Sequence, residues 1–337
     1  MKKLLFLSAM FSMILISSCE SDDNDVVDDI IEEDIYPVAE LLPKLSDLIL
    51  FEGDLADLQP IETVEIYKLN TPLFTDYAQK LRFLSIPEGQ TMAYNGDGFP
   101  IFPDNTILAK TFYYFDDNRN PSLGKTLIET RVLIKKSGQW NVGNYVWNTE
   151  QNEAFLDDEE HILPIEWIDE FGESKEVDYV IPSNLDCFTC HQNNGVNLPI
   201  GPKVRNLNFD NVGVNQLQKF IDIGWLTGAP AVSEITKLPD WEDDITYNLD
   251  ERARAYFEVN CAHCHQPGGN YDINFDATFE LRYETSFEDS HIYDKRNSIL
   301  ARMSTKIDGY SMPFIGTSLI HGEVVILMEE YVASLDD

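Results

Sequence analysis

Residues Asp250 to His265 read DERARAYFEVNCAHCH. In the first eleven, Ala253, Tyr256, Phe257 and Val259 fall mostly on one face at helical spacing, so a helix is expected to run straight into Cys261. A polar, glycine-containing loop follows, and Glu323 to Leu335 (EVVILMEEYVASL) reads as a second amphipathic helix. The Cys-x-x-Cys-His pattern that closes the opening stretch occurs once more, at Cys187 to His191 (CFTCH). Chance at this composition gives about 0.001 such matches per chain, so two of them carry chemical information.

Two thiols at this spacing reach one edge of a porphyrin, and the histidine that follows reaches the iron. Each motif is therefore expected to attach one haem c covalently. Cys187 and Cys190 would hold the first, with His191 on the iron; Cys261 and Cys264 would hold the second, with His265 on the iron. A zinc ribbon would separate its cysteine pairs by roughly 15–20 residues, whereas 70 residues lie between Cys190 and Cys261. A thioredoxin-like dithiol expects a βαβ setting, which neither motif has. Two disulfides would leave the repeated histidine unexplained.

The order of helix, motif, loop and C-terminal helix resembles class I cytochromes c. There the first and last helices pack beside the haem, and a Met-Pro loop presents the sixth ligand. In Tyr310–Thr317 (YSMPFIGT) the resemblance implies Met312 for that role, while Met303, in the stretch ILARM, reads as packing. Around the first motif Pro182 argues against a helix leading into Cys187. Downstream stands LPIGPKVRNLN (Leu198–Asn208). By the same resemblance the Gly201-Pro202 loop would offer a carbonyl to His191, and Lys203 and Arg205 are either partners of haem propionates or surface bases. No methionine lies between Cys190 and Met303. The candidates for the sixth position of the first haem are Met92, His161, His291, His321 or a lysine, none in a ligand-like loop. The expectation is an open or water-bound position.

The chain's 337 residues and 43% hydrophobic content allow two or three packed domains. Lys2 and Lys3, the apolar run Leu4–Ile16 and the lipobox-like Ile16-Ser17-Ser18-Cys19 read as a lipoprotein signal over 1–18, with Cys19 acylated. An acidic tether over 19–42 carries nine acids and no base between Glu20 and Asp34. It resembles the surface-export signal of Bacteroidetes lipoproteins. This places the protein in the cell envelope, anchored by lipid to the outer membrane on its periplasmic or outer side. A net charge of −35 repels nucleic acid and either favours a basic redox partner or simply keeps the chain soluble.

Residues 43–181 change character. Thr106–Phe115, Leu127–Lys135, Trp140–Trp147 and Val177–Ile181 read as strands; in the second, Ile128, Thr130, Val132 and Ile134 share one face while Glu129, Arg131 and Lys135 share the other. The expected fold is α+β and multidomain. A β-sandwich or jelly-roll-like domain is followed by a first haem segment (182–244) and a mostly helical cytochrome c-like domain (245–337).

LNTPLFTDYAQKLRF (Leu69–Phe83), FPDNTILAKTF (Phe102–Phe112), YVWN (Tyr145–Asn148), the two haem motifs and SMPFIGTS (Ser311–Ser318) together resemble a family of two-haem c-type cytochromes of unassigned role. FPDNT departs from the pattern, where a glycine before the threonine is expected. The resemblance implies that the β half and both haem segments form one recurring unit, with a parallel β-helix protein as a partner. Three roles follow as expectations. The first is electron transfer. The second is a peroxidase-like or substrate-oxidising haem enzyme with an open first haem. The third is a ligand-binding lipoprotein with redox haems.

Overall fold

The computed structural model describes residues 35–275 and 278–336. The signal, Cys19 and most of the acidic tether lie outside them. Among the described residues no helix is long and apolar enough to cross a membrane. From Ile35 onward the chain forms one compact unit of mixed helix and strand, its sheets mostly antiparallel.

The largest sheet has six strands: β1 (Glu65–Tyr67), β2 (Gln79–Ser85), β3 (Ile107–Phe115), β4 (Lys125–Lys136), β5 (Gln139–Trp147) and β6 (Ala154–Leu156). They pair in that order, each antiparallel to the next. This is an up-and-down meander. The Greek-key crossings of a jelly roll do not occur in it, because each strand pairs with the one before it in the chain, through a tight turn at Ser137-Gly138 and through longer connections elsewhere. A separate hairpin, β7 (His161–Ile168) and β8 (Ser174–Ile181), packs over part of one face.

The strand spans match the alternation in the sequence, and the face that carries Glu129 and Arg131 is covered. Glu129 is fully buried, and the Arg131 side chain is 14% exposed. Both faces of the sheet are covered. On one, Phe83, Ile107, Val132, Tyr145 and Trp147 meet Leu45, Leu48 and Leu50 of the N-terminal segment. Each such leucine contributes about 1.5–3 kcal/mol by its burial. On the other face lie the β7–β8 hairpin and the segment that carries the first motif.

The helices follow: α1 (Asn184–His191), α2 (Val204–Leu207), α3 (Gln216–Asp222), α4 (Leu249–Asn260), α5 (Asn270–Asn274), α6 (Phe287–Ser290), α7 (Ile292–Met303) and α8 (Gly322–Ser334). A capping box starts α4: Asn248 accepts from the Glu251 amide, and the Glu251 side chain accepts from the Asn248 amide. The helix packs with α7 and α8 around Tyr256, Phe257, Ile299, Leu327 and Tyr331. Its opposite face is covered too, where Ala255 and Val259 meet Leu238 and Leu73.

One short segment fastens these parts together. Thr71 N donates to Asn206 Oδ1 at 2.9 Å, and Phe74 N donates to Asn260 Oδ1 at 2.7 Å. The Asp76 carboxylate accepts from the Ser318 and Leu319 amides at 2.7–2.8 Å. The Leu69–Tyr77 stretch therefore touches the α2 turn, the residue before Cys261 and the loop after Met312.

Candidate functional site

The second motif forms a turn at the end of α4. Cys261 N and Ala262 N both donate to Phe257 O at 2.9 Å, and His265 N donates to Cys261 O at 3.0 Å. Beside it opens a cavity of about 290 Å3, lined mainly by apolar side chains including Phe257, Phe279, Leu281 and Ile299. Cys261, Cys264, His265, Met303 and Met312 line the same cavity. Tyr271 and Phe279 flank the His265 ring at 4.3 and 4.9 Å between centroids. The His265 Nδ1 is buried with no hydrogen-bond partner. Burial above all, with the nearby His263 and Arg302, pushes the His265 pKa down to about 4, so the imidazole is neutral at pH 7. A neutral imidazole is the form that binds a metal. Two thiols, this imidazole and a thioether around one apolar cavity fit a covalently attached haem.

Met312 is held by its backbone, Met312 N donating to Arg302 O at 2.9 Å, and its side chain packs against the helical core. Met303 is 8% exposed within α7. Both methionines reach the cavity, so the loop methionine is distinguished from the helical one by its irregular backbone rather than by access.

The expectation that no helix leads into the first motif is corrected: after Pro182, a helix starts at Asn184 and runs into Cys187. Ser183 caps α1, and Cys187, Cys190 and His191 all lie on that helix. The His191 imidazole meets the Leu198 carbonyl at 2.7 Å through Nδ1, which leaves Nε2 as the nitrogen available to a metal. The acceptor is thus Leu198, three residues before the Gly201-Pro202 pair expected for the role. Gly201 O accepts instead from Lys203 N and Asn206 Nδ2, and Pro202 is buried beside it. Lys203 and Arg205 each pair with an acid. Lys203 Nζ pairs with Glu258 at 2.5 Å, and Arg205 Nη1 pairs with Glu284 at 2.7 Å. The reason is placement: the α2 turn lies against α4 and the loop before α6, whose acids neutralise both bases.

The two motifs, 70 residues apart in the chain, meet in space. Ligand atoms of Cys190, His263 and Cys264 lie within 4.8 Å of one another. Cys264 Sγ also donates to Thr189 O at 3.7 Å. The contact with Cys264 holds the Cys190 pKa below the usual thiol value, and the same contact raises that of Cys264. The loops after the motifs dock as well. Asn194 N donates to Gly268 O, and Asn193 Nδ2 donates to Pro267 O, both at 2.8 Å. Gly268 has φ +78°, and a Cβ there would run into the Asn194 amide.

The other histidines are engaged elsewhere. His161 meets Asp157 at 3.0 Å and His291 meets Asp294 at 3.1 Å. His321 stacks on Phe74 at 4.0 Å, with its Nδ1 3.1 Å from the Tyr256 hydroxyl. Met92 is buried in the core cluster that includes Cys187. Among the described residues, the small cavity beside His191 is lined by no methionine, and its other histidine is His263.

Burial holds His321 down to about 4 from 6.5. A depressed histidine stabilises the fold above its unfolded pKa, and that contribution is lost as pH falls from 6.5 toward 4 because the unfolded chain takes the proton first. The loss amounts to about 3 kcal/mol. Denaturant titrations at pH 6.5 and pH 4 should therefore show a smaller difference for His321→Gln than for the wild type. Equal differences would rule out this linkage.

Comparison of the chain with family models, with curated proteins and with solved structures finds no match. The sequence reading missed several charged side chains at these sites. Lys295 and Arg302 line the second cavity, and Arg302 is the base that its place in ILARM already offered. Lys80, Arg82, Lys110 and Arg131 lie on the sheet face that the first motif covers. Their only signal in the sequence was strand alternation, which does not say what covers a face.

Proposed function

We propose that the protein is a two-haem c-type electron-transfer protein of the cell envelope, held to a membrane through lipid on Cys19. Haem would be joined to Cys187 and Cys190 with His191 axial, and to Cys261 and Cys264 with His265 and Met312 axial. Bound haem iron supplies one-electron chemistry between its ferrous and ferric states. The observation that carries the reading is the meeting of the motifs, with Cys190 and Cys264 within 4.8 Å. This juxtaposes the two attachment edges and gives electrons a short path. The α4, α7 and α8 packing supports a cytochrome c-like helical domain, and the covered sheet acts as a rigid platform for the first attachment helix. The acidic surface suits a basic redox partner, and the family resemblance adds a parallel β-helix protein as a candidate.

Coupling tests this directly. Electron paramagnetic resonance of the oxidised protein should show magnetic interaction between two ferric centres. In Gly268→Ala, where the added Cβ meets the Asn194 side chain and φ of +78° disfavours a side chain, the interaction should weaken while two haems per chain remain. Two independent centres in the wild type would defeat the proposal of a coupled pair.

A second reading, a haem enzyme open at the first site, is favoured by the lining of the cavity at His191, where no methionine faces the imidazole. Carbon monoxide should bind the reduced protein at one haem per chain. No binding at either haem supports a pure carrier.

A further inference from the structure

The inner face of the six-stranded sheet carries a polar row that the electron-transfer reading does not use. Register places Tyr67 opposite Arg82, Arg82 opposite Lys110, Lys110 opposite Arg131, and Arg131 opposite Asn144. Directly paired residues share a face, with Cβ atoms roughly 4.5–5.5 Å apart, and like charges so paired repel. Three bases therefore stand side by side across three strands. A fourth, Lys80, joins them around the Phe112 ring: Lys80 Nζ, Lys110 Nζ and the Arg131 guanidinium lie 5.8, 4.7 and 4.6 Å from its centroid.

Acids do not balance this face. Glu129 binds Arg131 through two hydrogen bonds at 2.6 and 2.9 Å and also accepts from the Tyr179 hydroxyl. Asp76, the next acid, is occupied by the Ser318 and Leu319 amides. Lys80 donates to the Ala78 carbonyl. Lys110 makes no hydrogen bond or ion pair among the described residues. Arg82 is 7% exposed and its Nη2 is buried without a partner; Asn144 is 1% exposed, and both of its side-chain polar atoms are buried without one. Unpaired buried donors and cations are costly unless something else meets them. An occupant with acceptor oxygens and negative charge would satisfy the Arg82 donor, the Lys110 side chain and the Asn144 Nδ2 donor together.

The row lies against the first motif. The next row on the same face, Leu84, Leu108, Leu133 and Val142, shares one core cluster with Cys187. Helix α1 packs on β5, the strand that carries Asn144. Burial and the neighbouring Arg131, Arg82 and Lys80 hold the Lys110 pKa well below its usual value, as for a base with no counter-charge beside it.

We propose that Arg82, Lys110, Arg131 and Asn144 form a carboxylate-binding site facing the first CxxCH motif. Two sources share that chemistry: a propionate of a haem held at His191, or a small free organic acid. The first source rests on the haem reading, and the second does not. Arg and Lys both match a carboxylate, Arg with a fixed fork of donors and Lys with a point charge.

The test uses the full holoprotein, Lys110→Gln and Arg82→Gln, with acetate as the free probe. Haem per chain is counted first, so a missing first haem is recognised separately from a missing site. If a propionate fills the site, acetate leaves the wild-type melting temperature unchanged. Each variant then lowers the midpoint potential of the first haem, because removing a cation favours the ferric state, while the second haem keeps its potential. If the site takes a free acid, acetate raises the wild-type melting temperature in a saturable way, and each variant loses the rise. The proposal is overturned if both variants keep the first-haem potential and the wild type shows no saturable acetate response. It is equally overturned if the variants merely melt higher with nothing lost, since the row would then be repulsion without a ligand.

Discussion

Met312→Ala should lower the midpoint potential of the second haem by on the order of 0.2 V, a fraction of the about 0.8 V range over which axial ligands set haem potentials. A neutral thioether favours ferrous iron, so its loss favours the ferric form. Met312 is placed for this role by its backbone bond to Arg302 O and by sharing one cavity with His265. The variant should also lose any methionine-to-iron charge-transfer band and gain cyanide binding at that haem. Met303→Leu is the necessary companion, because Met303 lines the same cavity. It should keep both the potential and the band, since its place is in the packed core of α7. If Met303→Leu has the large effect and Met312→Ala has none, the ligand assignment is reversed.

The largest change in composition is expected from Cys261→Ala with Cys264→Ala. A pyridine haemochrome assay should fall from two covalent haems per chain to one. The cavity beside His265 is bounded by apolar side chains from α4, α5 and α7, so losing its occupant removes packing from that core as well as the cofactor. The melting temperature should therefore fall along with the haem count. Large-to-small losses in a core leave a cavity term that neighbouring side chains only partly relieve. The matching pair, Cys187→Ala with Cys190→Ala, should also leave one haem. A wild-type count of one, with free thiols at Cys187 and Cys190, would remove the first haem from the account.

The strands and helices were legible because each rests on local periodicity. The alternation of Leu127–Lys135 marked a strand that extends over Lys125–Lys136, and the spacing within Asp250–Asn260 marked a helix that begins one residue earlier. Local pattern does not say what covers a face. Glu129 and Arg131 alternate with apolar residues as a solvent face would, yet the β7–β8 hairpin and α1 close over them. The same limit applies to Lys203 and Arg205: their partners Glu258 and Glu284 are 55 and 79 residues away in sequence, and no short-range pattern connects them.

The sequence by itself determined that two thiol pairs each precede a histidine within five positions, together with the strongly negative charge and the loop around Met312. The tertiary structure alone decided that Cys190 and Cys264 meet, that Leu198 is the carbonyl on His191, and that three bases line up beneath the first motif. Each of these is a contact between residues that are distant in the chain, or a choice among neighbouring carbonyls. Such contacts are fixed by which surfaces the folded chain brings together, and spacing along the sequence carries no information about that.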